Sequence, residues 1–300
     1  VVSTDLVNTD VTLDVDVGGK SMPLAYRKDM IVGTLQGKPE VSLADSDIVF
    51  VGYGVDAPEY QWNDYKGLDV KGKTVIVLVN DPGYGTNPKL FKGRAMTYYG
   101  RWTYKFEEAA RQGAAACFVV HDTGAAGYPW SVVENSWSGP QFALPASEAP
   151  APRLPVAGWL TNDAALRLFA AAGKDFDKLK AAASKRGFKA VDLDATASID
   201  LKSKIGHFQS NNVLAMVPGS EHPDQVVVYT AHWDHLGVGA PDAQGDRIYN
   251  GAVDNATGTA ALVAMGRAFA NADAKPERSV VFLNVTAEEK GLLGTEYYAS

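Results

Sequence analysis

The chain has very little sulfur chemistry: Cys117 is the only cysteine in 300 residues. A single thiol forms no internal disulfide, and its place in the run Ala114-Ala115-Ala116-Cys117-Phe118-Val119-Val120 reads as that of a small buried hydrophobe. No apolar stretch reaches the roughly 18 to 20 residues that a membrane-spanning helix requires. Val1-Val2-Ser3-Thr4-Asp5 shows no charged n-region and h-region of a targeting signal. Clustered positive charge is also missing; the formal net charge is −7 and the basic residues are scattered, which argues against nucleic acid or an anionic membrane as partner. A Gly-x-Ser-x-Gly elbow and a His-Glu-x-x-His helix are both absent, so a serine hydrolase and a single-zinc metalloprotease lose their usual signatures. The loop Asp81-Pro82-Gly83-Tyr84-Gly85 lacks the Gly-Lys-Ser/Thr ending of a phosphate cradle and reads as a turn. The chain contains no internal repeat and no low-complexity segment.

What is present is an ordinary globular composition, 46% hydrophobic and 21% charged, with 29 glycines and 15 prolines. Val11-Thr12-Leu13-Asp14-Val15-Asp16-Val17 alternates with the period of a half-buried strand and runs into Gly18-Gly19, a turn. From Asp47 onward short strands (48–51, 74–79) are followed by a Gly/Pro/Asn loop over 81–88, a helix over 101–112 and a buried strand over 116–120, a small α+β unit. Residues 138–155 suit an irregular connection. Helices are expected over 163–172 and 176–185, and a strand closed by Pro218-Gly219 over 211–219.

The chemistry gathers in the last third. Gln225-Val226-Val227-Val228-Tyr229-Thr230-Ala231 is apolar on both parities, as expected of a strand covered on both faces of a parallel sheet, and it delivers His232-Trp233-Asp234. A helix over 257–270 and a strand over 279–286 complete a β-α-β unit. Right-handed crossover makes its strands parallel, so His232 and the pair Glu288-Glu289 leave the same carboxyl edge, with Asp254 just before the crossover helix facing the same crevice. One imidazole and two carboxylates suit zinc, and a carboxylate that does not bind metal can act as a base toward a water that the metal activates. His235, beside the motif, reads as a structural or supporting residue, and Tyr249, Trp233 and the glycine-rich stretch 237–251 as borders of a pocket or simple packing.

The segments "AHWDHLG", "GAVDNATGTAALVAMGRAF" and "FLNVTAEEKGLLGTEYYA" resemble three successive signatures of the two-zinc exopeptidase family that includes bacterial leucyl aminopeptidases, glutamate carboxypeptidase and the non-catalytic transferrin receptor. The resemblance implies that His232 binds one zinc, Asp254 bridges two, Glu289 binds the other, Glu288 is the general base, and Asp234 orients the histidine. The segment "FVGYGVDAPEYQWNDYKGLDVKGKTVIVLVNDPG" resembles the protease-associated domain inserted in many members.

The resemblance implies a mostly parallel, doubly wound α/β sheet with an inserted α+β domain. Its expected parts are 1–46 (start of the peptidase domain or lead-in), 47–190 (insert and connecting helices) and 191–300 (peptidase domain). It also implies a peptide substrate, aminopeptidase activity and export to the periplasm or medium. A receptor-like homologue without activity, a carboxypeptidase and a glutaminyl cyclase are the alternatives. The family completes its site with an aspartate and a histidine well downstream of the glutamate pair, so the chain reads as an internal fragment, inactive and poorly soluble by itself.

Overall fold

The computed structural model describes residues 2–145, 151–239, 241 and 243–300. Two compact units divide the chain: a larger one of Leu6–Gln141 and Ala151–Ile205, and a smaller one that includes Gly206–Ser300. The division differs from boundaries at 46/47 and 190/191. The cause is strand pairing, because Val191–Gln209 lies antiparallel against Glu40–Phe50 over much of its length and so carries both segments into one sheet.

The sheet on which the larger unit is built has the strands β1 (Val2–Val17), β2 (Lys20–Pro23), β3 (Met30–Gly33), β4 (Glu40–Phe50), β5 (Thr74–Leu78), β6 (Ala116–His121), β7 (Val156–Thr161) and β8 (Val191–Gln209), of which β1 before Leu6 and β8 after Ile205 fall outside that unit. They are ordered β2-β1-β8-β4-β5-β6-β7-β3. The Gly18-Gly19 hairpin forms as its sequence predicts, with Val17 opposite Lys20. The centre, β4-β5-β6-β7, is parallel throughout. The segment read as α+β thus holds parallel strands.

Apolar residues of both parities on these strands sort into two clusters. Ile48, Phe50, Ile76, Leu78, Phe118 and Val120 enter one; Val49, Val51, Val75, Val77, Cys117 and Val119 enter the other. Helices α2 (Asn162–Ala171) and α3 (Phe176–Ala183) supply Leu168, Phe169 and Phe176 to the first cluster. Helix α1 (Trp102–Arg111) supplies Phe106 and Ala109 to the second. A period-2 chain with apolar residues on both parities is stable only when both faces are covered, and here they are. Cys117 is a fully buried free thiol, as expected. Local capping sets the helix starts: Thr161 accepts from the Ala164 N–H at 3.1 Å and Asp175 from the Lys178 N–H at 3.0 Å. The connection read as irregular includes a short strand, Gln141–Ala143, and its residues 146–150 lie outside the described residues.

The smaller unit is built on β9 (Val213–Val217), β10 (His222–His232), α4 (Ala256–Ala270), β11 (Arg278–Val285) and the short α5 (Leu293–Ala299). Its sheet order is β9-β11-β10. β10 and β11 are parallel and joined through α4, the expected β-α-β unit, while β9 runs antiparallel on the other side of β11. Leu262, Met265 and Phe269 of α4 pack with Ala231, Val280 and Phe282 on one face. The expectation of a β10 strand covered on both faces is not met among the described residues. Val226, Val227, Val228 and Tyr229 are between 38% and 49% exposed, and β10 lies at the end of the strand order.

Candidate metal centre

The register of the two parallel strands places the site. His232 is the residue opposite Val285, so the last residue of β10 and the start of the loop 286–292 after β11 leave the sheet at one level. Asn255 caps α4, accepting from the Gly258 N–H at 3.0 Å, and this fixes Asp254 at the helix entry on the same edge. Gly258 allows the close approach: a Cβ there would stand 2.2 Å from the Asn255 Oδ1 and 3.0 Å from the Ala231 Cβ. Thr259, which sequence reasoning did not single out, donates to the His232 carbonyl at 3.1 Å or to Asn284 Oδ1 at 3.2 Å, tying the helix to both strand ends.

The predicted residues converge. One ligand atom each from His232, Asp254 and Glu289 lie within 4.8 Å of one another. The imidazole Nε2 is 3.0 Å from Asp254 Oδ1 and 3.7 Å from Glu288 Oε2. Its other nitrogen, Nδ1, is 3.0 Å from the Asp234 carbonyl oxygen. A carbonyl can only accept, so Nδ1 carries a proton and Nε2 is the nitrogen turned toward the carboxylates, the one left to coordinate a metal when the ring is neutral. One imidazole nitrogen and two carboxylate oxygens at this spacing fit a zinc ion by donor type.

Asp234 works differently from its expected role. Its carboxylate is 3.9 Å from His232 Nδ1, beyond hydrogen-bond reach. It accepts instead from the backbone N–H of Glu288 at 3.0 Å and of Glu289 at 3.2 Å, so the side chain grips the glutamate loop while the main chain holds the histidine. Next to it, His235 Nδ1 lies 2.7 Å from Glu289 Oε1.

The charges shape the titration of the site. Burial alone would lower the His232 pKa, but the Asp234 carbonyl and the carboxylates of Glu288, Asp234 and Asp254 outweigh it and hold the value above the ordinary 6.5. Burial, with Glu289, Asp234 and Asp254 nearby, raises Glu288 above its ordinary 4.5 against the opposing pull of His232. A carboxylate with a raised pKa is a stronger base, the tuning that general-base chemistry near neutrality uses. A bound cation would reverse the balance at His232, since the ring must be neutral to coordinate.

Among the other sequence-marked groups, Trp233 donates from Nε1 to the Asn211 carbonyl at 3.1 Å, a packing role. Tyr249 lies in a small exposed hairpin, Gly237–Val238 with Ile248–Tyr249, and residues 240 and 242 of the glycine-rich stretch lie outside the described residues. His121 is buried in the larger unit with Nε2 on the Tyr128 carbonyl at 3.0 Å.

A β-α-β edge bearing this ligand set has the donors of a zinc site. Residues 212–300 match the model of peptidase family M28. A probable zinc metalloprotease of Pyrenophora teres f. teres is 39% identical over 87 residues, 29% of this chain and 18% of that protein. Aminopeptidase NAALADL1 of Rattus norvegicus is 34% identical over 90 residues, 29% of this chain and 10% of that protein. The matched part is therefore less than a fifth of the length of either relative. Among solved structures, the aminopeptidase from Aneurinibacillus sp. strain AM-1 aligns over 99% of this chain and 55% of its own, with 19% identity and a TM-score of 0.41.

Proposed function

We propose that the protein is a zinc-dependent exopeptidase, an aminopeptidase by preference, whose metal ligands include His232, Asp254 and Glu289 and whose general base is Glu288. The observation that carries this reading is the convergence of the three ligand atoms within 4.8 Å, with the Glu288 carboxylate beside the histidine but outside that group. Asp254, whose side chain is 69% exposed, is suited to be shared between two ions. Zinc, when bound, polarises a scissile carbonyl and makes water a competent nucleophile near neutral pH. Glu288 takes the proton from that water and passes it to the departing amine, which its raised pKa favours. Asp234 keeps Glu288 and Glu289 on one loop geometry through their backbone N–H groups, so that base and ligand hold their spacing. The preference for an aminopeptidase rests on the named relative NAALADL1. Residues 47–190 are read as a protease-associated domain, and the protein as exported.

Metal analysis after dialysis tests the reading. Two zinc ions per molecule are expected; none or one, with the fold intact, would overturn the two-metal centre and favour a receptor-like or cyclase protein. Glu289→Gln is expected to lose metal and Glu288→Gln to keep it. Exchange of those two effects would reverse the assignment of base and ligand. Hydrolysis of aminoacyl against carboxyl-terminal substrates decides the direction of cleavage, and fractionation of the source cells decides export.

A further inference from the structure

The two glutamates of the loop are held very differently. Glu289 Oε1 is 2.7 Å from His235 Nδ1, and both side chains are largely buried. No side-chain hydrogen bond reaches the Glu288 carboxylate among the described residues; its recorded polar neighbour is His232 Nε2 at 3.7 Å. His235 is itself fixed. The chain at Gly251 passes so close that a Cβ there would stand 2.9 Å from the His235 Cβ, 3.0 Å from its Cγ and 2.9 Å from the Asp254 carbonyl oxygen. Gly251 also has φ +64°, a conformation that favours glycine. The imidazole therefore stands between the turn that leads into Asp254 and the carboxylate of Glu289.

Resting on the reading of this edge as a zinc centre, we propose that His235 is a positioning residue that pins Glu289 as the metal ligand and leaves Glu288 free to move protons. An ionised carboxylate only accepts, so His235 Nδ1 carries the hydrogen and occupies Oε1, leaving Oε2 of Glu289 uncommitted. Residues 234 and 235 act on different parts of the loop. Asp234 fixes its backbone, and His235 fixes the one side chain in it that must not swing. Carboxylate ligands fixed in this way lose less freedom on binding metal, and removal of such a partner typically costs about 10- to 100-fold in metal affinity.

Zinc affinity of the purified protein, measured by competition with a chromophoric chelator, tests the assignment through a double-mutant cycle. His235→Ala should weaken zinc binding by about 10- to 100-fold. His235→Asn, which keeps an N–H near the Nδ1 position, should recover most of the loss. In a Glu289→Asp background, which keeps a carboxylate ligand but draws it one methylene back from His235, His235→Ala should change affinity little further. Equal losses in both backgrounds would show that His235 acts independently of Glu289, as a direct ligand or a packing residue, and would overturn the proposal. Unchanged affinity in folded His235→Ala would overturn it too. If the unsubstituted protein takes up no zinc, the metal reading fails with it, an outcome distinct from a zinc-binding protein indifferent to His235. Long-range 1H–15N spectra of the zinc-free protein give a readout independent of loading. His235 should carry its proton on Nδ1, and Glu289→Gln should shift that tautomer balance; a population on Nε2 in the unsubstituted protein would count against the contact.

Discussion

In the larger unit, Lys105 is wholly buried, its Nζ donating to the Asn80 carbonyl at 3.0 Å, with Asp64 and Asp81 close enough to influence it. Asp64 accepts from the Val55 N–H at 3.1 Å and from Trp62 Nε1 at 2.8 Å; Asp81 accepts from the backbone and hydroxyl of Thr97. At the sheet edge of the smaller unit, Asp254 and Glu288 instead face His232, Asp254 largely open to water and Glu288 about one-third so. Ionisable groups in the first region are enclosed and partnered, so their charges hold loops together and have no room for a ligand. Those in the second are like-charged, gathered around one imidazole nitrogen and reachable from solvent. The same residue types are structural in one place and chemical in the other, and the difference lies in enclosure and in what each lone pair faces.

The sharpest way to test that contrast is at Glu288. Its replacement by glutamine should lower turnover on an aminoacyl substrate by roughly 10²- to 10⁴-fold, the range for losing a general base, while thermal unfolding stays within about 0.5 kcal/mol of the original. A large loss of stability with turnover intact would place Glu288 among the structural groups. The converse substitution is Phe50→Ala, which empties a fully buried position touching Phe169, Phe176 and Phe188. It should cost about 3–5 kcal/mol in urea unfolding of the larger unit and leave zinc affinity unaltered, provided that unit remains folded.

A smaller effect is expected from pH. Burial pushes Asp64 up to about 7 from its ordinary 3.8, although the hydrogen bonds from Val55 and Trp62 and the charge of Lys105 oppose it. Between those values the folded chain holds more protons than the unfolded one. Stability from this group is thus fully present below about pH 4 and is lost as the pH rises to about 7, by up to about 4 kcal/mol at 1.36 kcal/mol per unit. Lys105 behaves oppositely: burial lowers it to about 8 from 10.5, so between these values the unfolded chain holds more protons and stability rises with pH. Urea titrations followed by tryptophan fluorescence would read both slopes, since Trp62, Trp102, Trp130, Trp137 and Trp159 lie in this unit. Asp64→Asn should flatten the first slope; persistence of the slope would assign it to other groups. Smallest of all is the cap, where Asn255→Ala should cost about 1 kcal/mol by removing the acceptor for the Gly258 N–H. Because that cap also sets Asp254, zinc affinity should fall with it, and an unchanged affinity would separate the helix entry from the site.

Much of the fold and site is legible from residues alone. Periodicity places α1, α2, α3 and α4 within one to two residues at their starts, and the apolar runs place β5, β6, β10 and β11. The β-α-β logic brings His232, Asp254, Glu288 and Glu289 to one edge, where the structure has them. Three features are less accessible. The antiparallel placement of Val191–Gln209 beside Glu40–Phe50 is a pairing across about 150 residues, and no local pattern specifies a partner so distant in the chain. The exposure of Val226 to Tyr229 depends on what neighbours the strand, which composition does not encode. The division of Asp234 between two duties, carbonyl to His232 and carboxylate to the loop, depends on side-chain rotation, although the spacing His232-x-Asp234-His235 hints that neighbouring residues share in holding the site.

The pairing of His232 with Val285 also sets a ruler for change along the chain. Each strand residue advances about 3.3 Å, so one residue inserted between Val285 and Glu288 would displace both glutamates by a distance larger than a metal–ligand bond. The same insertion in the connection 271–277, which lies between the end of α4 and the start of β11, would be absorbed before the chain enters the sheet. Length variation should therefore be tolerated on the amino side of these strands and forbidden on the carboxyl side, giving the molecule one edge free to drift and one kept to measure.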